Sequence, residues 1–250
     1  MPTNRPASRR VGAAVLQTLL VLSLAWSALF LAWLSLARVD FGYPLLYELL
    51  DIPAHIEHYA PQNRYKSGFA ATGKTERLAI FGQIARAIDR GGEGLADIRY
   101  TDASGRSQQF LRAPERIHLE SVARLISGLR LFSHVMLAAL VATAVLAWAL
   151  RVRLPSARRV LSATALLLAV ATVLVLAIGA ERVFNTLHTW VFPPGEQWFF
   201  YYQESLMTTL MKAPDLFGGI AVLLLLAALG YFVVLLGAAW WLLNRRRGAS

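Results

Sequence analysis

Four stretches of this chain contain no charged side chain: residues 11–37, 131–150, 160–180 and 216–243. They hold 27, 20, 21 and 28 residues. About 20 apolar residues in a helix cross the hydrocarbon core of a bilayer. Within lipid every backbone N–H and C=O must be satisfied internally, and a single long segment does this only as a helix. The sequence therefore predicts an all-α membrane protein with four transmembrane helices. A mean hydropathy of +0.48 with 56% hydrophobic residues agrees with that class.

The charges between the stretches are sorted. Arg5, Arg9 and Arg10 precede the first; Arg151, Arg153, Arg158 and Arg159 join the second to the third; Arg245, Arg246 and Arg247 follow the fourth. Those ten arginines have no acidic residue among them, whereas segments 38–130 and 181–215 hold fifteen basic and fifteen acidic residues. Cytoplasmic loops are enriched in Lys and Arg, so both termini and the middle loop are expected in the cytoplasm. The expected order is a cytoplasmic N-terminus (1–10), a first span (11–37), an exported domain (38–130) and a second span (131–150). A cytoplasmic loop (151–159), a third span (160–180), an exported aromatic segment (181–215), a fourth span (216–243) and a cytoplasmic tail (244–250) complete it. This is a multi-pass protein of the cytoplasmic (inner) membrane whose chemistry is expected on the outer face.

A pI near 10.5 would suggest nucleic acid for a soluble chain. Here the arginines flank spans and read as topology anchors on anionic lipid, so no nucleic-acid partner is expected. Ser35-Leu36-Ala37 resembles a signal cleavage site, but the apolar run before it far exceeds the roughly 7 to 15 residues of a signal, so it reads as retained. The chain has no cysteine. Thiol catalysis, Fe–S ligation and disulfides are excluded, and the exported domain must be held by packing.

Within the exported domain the pattern predicts a mainly helical fold with a small β-hairpin. A helix is expected over 45–59, ended by Pro61, and a loop over 62–73. Leu78, Phe81, Ile84, Ala85 and Ile88 have helical spacing, giving a helix over 75–90 that Gly91-Gly92 stops. Strands at 98–101 and 107–111 flank Asp102-Ala103-Ser104-Gly105 as a hairpin. Pro114 and Glu115 then open a helix through His118, Val122 and Leu125 into the second span.

The second exported segment crowds Trp190, Phe192, Trp198, Phe199, Phe200, Tyr201 and Tyr202 around Pro193-Pro194-Gly195. Leu206, Met207, Leu210 and Met211 follow as an apolar stripe on a short helix ending at Pro214. Such a belt serves either as an interfacial anchor or as a lip that contacts lipid over an active site. On the second reading Trp190, Trp198, Phe200, Tyr201 and Leu206 are the expected lipid contacts.

Gly68 to Thr75 matches the phosphate-loop pattern by letters, yet residues 64–67 are not a buried strand and no magnesium-binding Asp follows an apolar strand. A flexible loop entering a helix is expected instead. His55 and His58 stand at i, i+3, a spacing able to grip a metal, but they fit no zincin pattern and have no third ligand nearby. No metal or cofactor is expected. His134 lies about one turn inside the second span, where a hydrogen-bonded packing role competes with a functional one.

His118 and His188 differ from these. Each stands where a helix meets the outer leaflet, on spans that a short loop makes antiparallel neighbours. Glu115 and Asn185, both at i−3, are placed to orient them. No G-x-S-x-G elbow occurs, so a serine hydrolase is not indicated. The residues themselves allow a paired-imidazole site or two unrelated interfacial histidines.

The run Glu115-Arg-Ile-His118-Leu-Glu-Ser-Val122 resembles the segment before the second span of the lipoprotein intramolecular transacylase family. Phe184-Asn-Thr-Leu-His188, Gly195-Glu-Gln-Trp198-Phe-Phe200, Glu204-Ser-Leu206 and Pro214-Asp-Leu-Phe217 resemble its signature before the last span. Two departures stand out: Ser121 occupies a position that is usually acidic, and Tyr201-Tyr202-Gln203 alters the run after Trp198. The resemblance implies an acyltransferase that moves the sn-2 acyl chain of a lipoprotein's diacylglyceryl-cysteine to its own N-terminal α-amine, giving a lyso-form lipoprotein. It implies His118 and His188 as the catalytic residues, one shuttling a proton and the other orienting or donating to the oxyanion. Diacylated bacterial lipoproteins and membrane lipid would be the partners. The alternative is a non-catalytic membrane protein that binds or presents an exported partner.

Overall fold

The computed structural model describes residues 7–244, so Arg5 and Arg245 to Arg247 of the expected cytoplasmic ends lie outside the described residues. In chain order the elements are α1 (Ala7–Ala37), α2 (Tyr43–Leu49), α3 (Ile52–Tyr59), α4 (Lys74–Asp89), β1 (Arg99–Thr101) and β2 (Ser107–Gln109). They continue with α5 (Ala113–Ala149), α6 (Ala157–Ile178), α7 (Ala180–Val191), α8 (Leu206–Met211) and α9 (Asp215–Asn244). Helices α1, α5, α6 and α9 are long and apolar enough to cross a membrane. The all-α membrane class expected from the sequence is the one observed, with one two-stranded sheet.

The chain divides into two compact units. The apolar unit gathers the residues up to Leu34, Leu131–Ile178 and those from Leu224 on. Leu16, Leu20, Leu24 and Ala28 recur every four residues along α1 and bury one face against Ala147, Phe232 and Leu236. That spacing is one stripe of a helix. Trp26 Nε1 donates to Ser133 Oγ at 3.0 Å, and Gln17 Nε2 donates to the Arg153 carbonyl at 2.6 Å. The His134 ring meets the Phe30 ring edge-on at 5.4 Å, so this histidine has a packing role.

The polar unit, Ser35–Arg130 with Gly179–Leu223, has its own core. Tyr43 stacks on Phe81 at 3.9 Å and donates its hydroxyl to the Leu210 carbonyl at 2.7 Å. Phe69, Tyr100 and Phe110 meet in one aromatic cluster. Leu206, Met207, Leu210 and Met211 enter the same core from α8, so the segment after α7 is packed into the one before α5. Each such buried side chain contributes roughly 1.5–3 kcal/mol.

The helix expected over 45–59 is two helices. Leu49 ends α2, Asp51 adopts φ 51°, and α3 restarts at Ile52 with Pro53 in its first turn. Pro53 has no N–H to give and would clash with the carbonyl four residues back, so a continuous helix is excluded there. The helix expected at 75–90 is α4, and the hairpin pairs Arg99 with Gln109, Tyr100 with Gln108 and Thr101 with Ser107. Its turn is organised by Asp102, whose Oδ1 accepts from Ser104 N, Ser104 Oγ and Arg106 N. These bonds hold its carboxyl well below the usual range. Helix α5 runs unbroken from the expected first-turn proline through the second apolar stretch.

The phosphate-loop letters fold as a 3-10 turn, Phe69–Ala71, leading into α4. Arg77, buried, closes that turn by donating to Thr72 Oγ1, the Tyr47 hydroxyl and the Ala70 carbonyl. Lys74 pairs with Glu48 at 2.6 Å on the surface.

Candidate active site

The start of α5, the last turn of α7 and the turn after it build the site. Arg112 precedes α5, and Glu115 Oε2 accepts its backbone N–H at 2.6 Å. That is the return half of a capping box, in which the third helical residue satisfies the cap's orphan donor. Glu115 is fully buried. Burial pushes its carboxyl up, against the opposing pull of that bond and of the Arg112 and Lys66 charges. Ser205 caps α8 by accepting from Thr208 N at 3.0 Å. Glu115 therefore closes the start of α5 and is not the group that orients His118.

That group is Glu196. Its Oε1 lies 3.1 Å from His118 Nδ1, with both side chains 9% exposed. Its Oε2 accepts from Ser121 Oγ at 2.6 Å, and Arg124 Nη2 donates to the same Ser121 oxygen at 2.6 Å. The carboxylate is delivered by a turn in which Glu196 N–H bonds the Pro193 carbonyl at 3.2 Å and Gly195 adopts φ 88°. Pro194 pre-sets the second turn position, and only the third needs positive φ, which glycine supplies without strain. Pro193-Pro194-Gly195 thus aims Glu196 at α5. The sequence did carry this signal, but it joins residues 78 apart, beyond the reach of an i−3 rule.

His188 sits on α7, which starts after Gly179 at φ 95° and not as a continuation of the third span to residue 180. Its Nδ1 faces the Phe184 carbonyl at 2.8 Å. A carbonyl only accepts, so Nδ1 carries the proton and Nε2 keeps the lone pair when the ring is neutral. The Phe184 backbone, one turn back, thus does the orienting expected of Asn185. Glu196 imposes the same tautomer on His118, since a carboxylate also accepts.

The two imidazoles lie 6.3 Å apart between ring centroids, tilted by 33°. Phe192 bridges them, 4.7 Å from His118 and 5.3 Å from His188. Trp198 lies 4.8 Å from His188, and the buried Phe200 6.3 Å from His118. Of the expected lipid contacts, Trp198 and Phe200 therefore stand at the histidines. Trp190 and Tyr201 are exposed away from them, at 79% and 62%, and Leu206 is buried in the core. Burial lowers the His118 pKa; the hydrogen bond and charge of Glu196 raise it, and His188 lowers it further. An open cleft of about 230 Å³ beside the pair is lined by Ser121, Arg124, Leu125, Val191, Phe192 and Pro193.

The other histidines fall elsewhere. His55 packs between Tyr59 and Tyr202, at 4.6 and 4.4 Å, and His58 packs edge-on against Tyr59. Burial, reinforced by the Lys212 charge, lowers His55 to about 4.

No curated protein matches the chain in sequence. Residues 100–214 match the model of the family described as lipoprotein intramolecular transacylase Lit. Solved structures of the membrane integral lipoprotein intramolecular transacylase Lit from Bacillus cereus share the fold. One, a histidine-to-arginine variant, superposes at TM-score 0.66 with 16% identity, covering 97% of this chain and 96% of its own. Another covers 95% and 98% at TM-score 0.66 and 16% identity. A histidine-to-alanine variant gives 0.65 over 96% and 98%, again at 16% identity. The matched segment contains His118, His188 and Glu196, so the stretch that builds the site is also the stretch that carries the sequence pattern of the Lit family, on the fold of the membrane-integral Lit structures.

Proposed function

We propose that this protein is a membrane acyltransferase acting on diacylated lipoproteins, moving the sn-2 acyl chain of the diacylglyceryl-cysteine to its N-terminal α-amine. One observation carries the reading: two imidazoles 6.3 Å apart between centroids are each tied at Nδ1, which leaves Nε2 free of a proton while the ring is neutral, and Phe192 packs against both. An α-amine of pKa near 8 is about one-tenth free base at pH 7, so the nucleophile is available. Its nitrogen attacks the ester carbonyl carbon, the N–C bond forms and the C–O bond to glycerol breaks. His118 Nε2 takes the proton lost from nitrogen and returns it to the leaving glyceryl oxygen. Glu196 behind Nδ1 suits His118 to this shuttle, because a carboxylate stabilises the imidazolium that forms midway. His188, backed by a neutral carbonyl and offering an Nε2 lone pair, orients the amine by accepting from its N–H.

Nucleophile and ester belong to one molecule, so holding them together contributes several kcal/mol by proximity and no acyl-enzyme is needed. We place the reaction on the outer face of the cytoplasmic membrane with both termini inside, supported by the ten unopposed arginines. Reporter fusions at Gly105 and Gly195 should score as exported and one at Ser156 as cytoplasmic.

The decisive experiment incubates purified protein with a diacylated lipopeptide in detergent. Acyl migration leaves the mass unchanged. The expected product is therefore an isobaric lipopeptide whose amine no longer labels and whose N-terminal fragment carries the acyl chain. A lipopeptide whose amine stays reactive would refute the reading.

A further inference from the structure

Glu196 stands on a turn, reached by α5 through two hydrogen bonds: one from His118 and one from Ser121. The second is reinforced from behind, since Arg124 donates to the Ser121 oxygen at 2.6 Å. A hydroxyl that accepts from a cation is a stronger donor, because bonds in a chain polarise one another. The result is one line of contacts: Arg124 Nη2 to Ser121 Oγ, Ser121 Oγ to Glu196 Oε2, and Glu196 Oε1 to His118 Nδ1. Ser121 is buried and only three residues along α5 from His118, so one helix face holds both the imidazole and the donor that fixes its carboxylate. Serine, arginine and the imidazole recur at three-residue steps (118, 121 and 124), the spacing that puts side chains side by side on a helix.

We propose that Ser121 and Arg124 are positioning residues: their hydrogen-bonded chain fixes the Glu196 carboxylate, and through it the ring orientation and tautomer of His118. This rests on the proposed function for its kinetic consequences, but not for its physical one. The charged and titratable groups acting directly on His118 are Glu196 from the 192–200 segment and His188 from α7. Arg124 acts through Ser121. Neither residue touches the reacting atoms.

The test compares Ser121→Ala, Ser121→Thr and Arg124→Gln in the full-length protein in detergent micelles. Two readouts are taken: the kcat and KM of lipopeptide conversion across pH, and the His118 imidazole titration followed by NMR. Ser121→Ala should lower kcat about tenfold, the effect of losing one hydrogen bond to a charged group, with KM changed less than twofold. It should also move the His118 midpoint downward, because a carboxylate freed to turn away no longer raises it. Ser121→Thr, which keeps the hydroxyl, should restore both. Arg124→Gln should fall between. An unmoved His118 midpoint in Ser121→Ala overturns the proposal even if the rate falls, since general damage would give that result. If wild-type protein converts no lipopeptide, the proposed function fails, and the NMR midpoint still decides the positioning chain.

Discussion

Glu115, fully buried, and Glu196, half-buried, are both carboxylates of the polar unit, and they sit in regions built on opposite plans. Glu115 serves the fold: it accepts the Arg112 backbone N–H and so closes the start of α5. Around Glu196 the bonds run through side chains to an imidazole that keeps one nitrogen unengaged, and the walls are aromatic rings with exposed neighbours. Burial by itself does not mark the carboxylate that meets the imidazole. What marks it is that its chain of bonds ends on a group with capacity left over.

The strongest way to break this contrast is at the imidazoles. His118→Ala and His188→Ala should each cut lipopeptide conversion by at least a hundredfold, the usual size of a lost general acid–base. The double variant should be no slower than the worse single, because groups acting as a unit are not additive. Additive losses would separate the two rings into unrelated sites.

The two carboxylates offer the next test. Glu115→Ala should lower unfolding stability by about 1–3 kcal/mol, leaving a buried donor without a partner, while turnover per folded molecule stays within twofold. Glu196→Gln should do the reverse, costing about tenfold in kcat with little change in the thermal midpoint. Thermal unfolding and kinetics on the same preparations decide between them.

Acid sharpens the contrast further. The His118 pKa is held below its unfolded value near 6.5, chiefly by burial. Between the two values the unfolded chain binds more protons, so the His118 contribution to stability is complete above about pH 6.5 and lost as pH falls through that window. The acid limb of kcat/KM should therefore lie below 6.5, and a limb above it would show that Glu196 outweighs burial. His55, lowered to about 4 in the aromatic cluster, should extend the fall in thermal midpoint toward that pH without touching the rate.

The smallest effect is expected at Lys74. Its exposed pair with Glu48 is worth at most about 1 kcal/mol, so Lys74→Ala should leave conversion and stability nearly unchanged.

The spans were legible because length and charge exclusion are properties of the local sequence, and so were α4, the hairpin and the start of α5. The break at Asp51 was missed although Pro53 announces it, because Pro61 reads as the stop of the segment. At the candidate site, local reasoning anticipated that the two histidines lie together and failed at their partners. Glu115 and Asn185 satisfy the i−3 geometry, yet one is engaged by the helix cap and the other is replaced by a backbone carbonyl. Glu196 comes from a turn 78 residues away, and no periodicity links it to His118. The aromatic run read as one belt, an anchor or a lip, whereas the fold divides it into rings at the histidines, rings in the open and a stripe in the core.

Because both rings are tied by the same nitrogen, the site meets its ligand with two lone pairs and, while neutral, with no hydrogen to offer there. Such a pair of acceptors favours a group rich in N–H bonds, and an ammonium has three. An amide made from it has one and no charge. Acyl transfer to nitrogen would therefore erase the feature that the imidazoles hold best, so that the site would lose its grip on the molecule at the moment the reaction is complete.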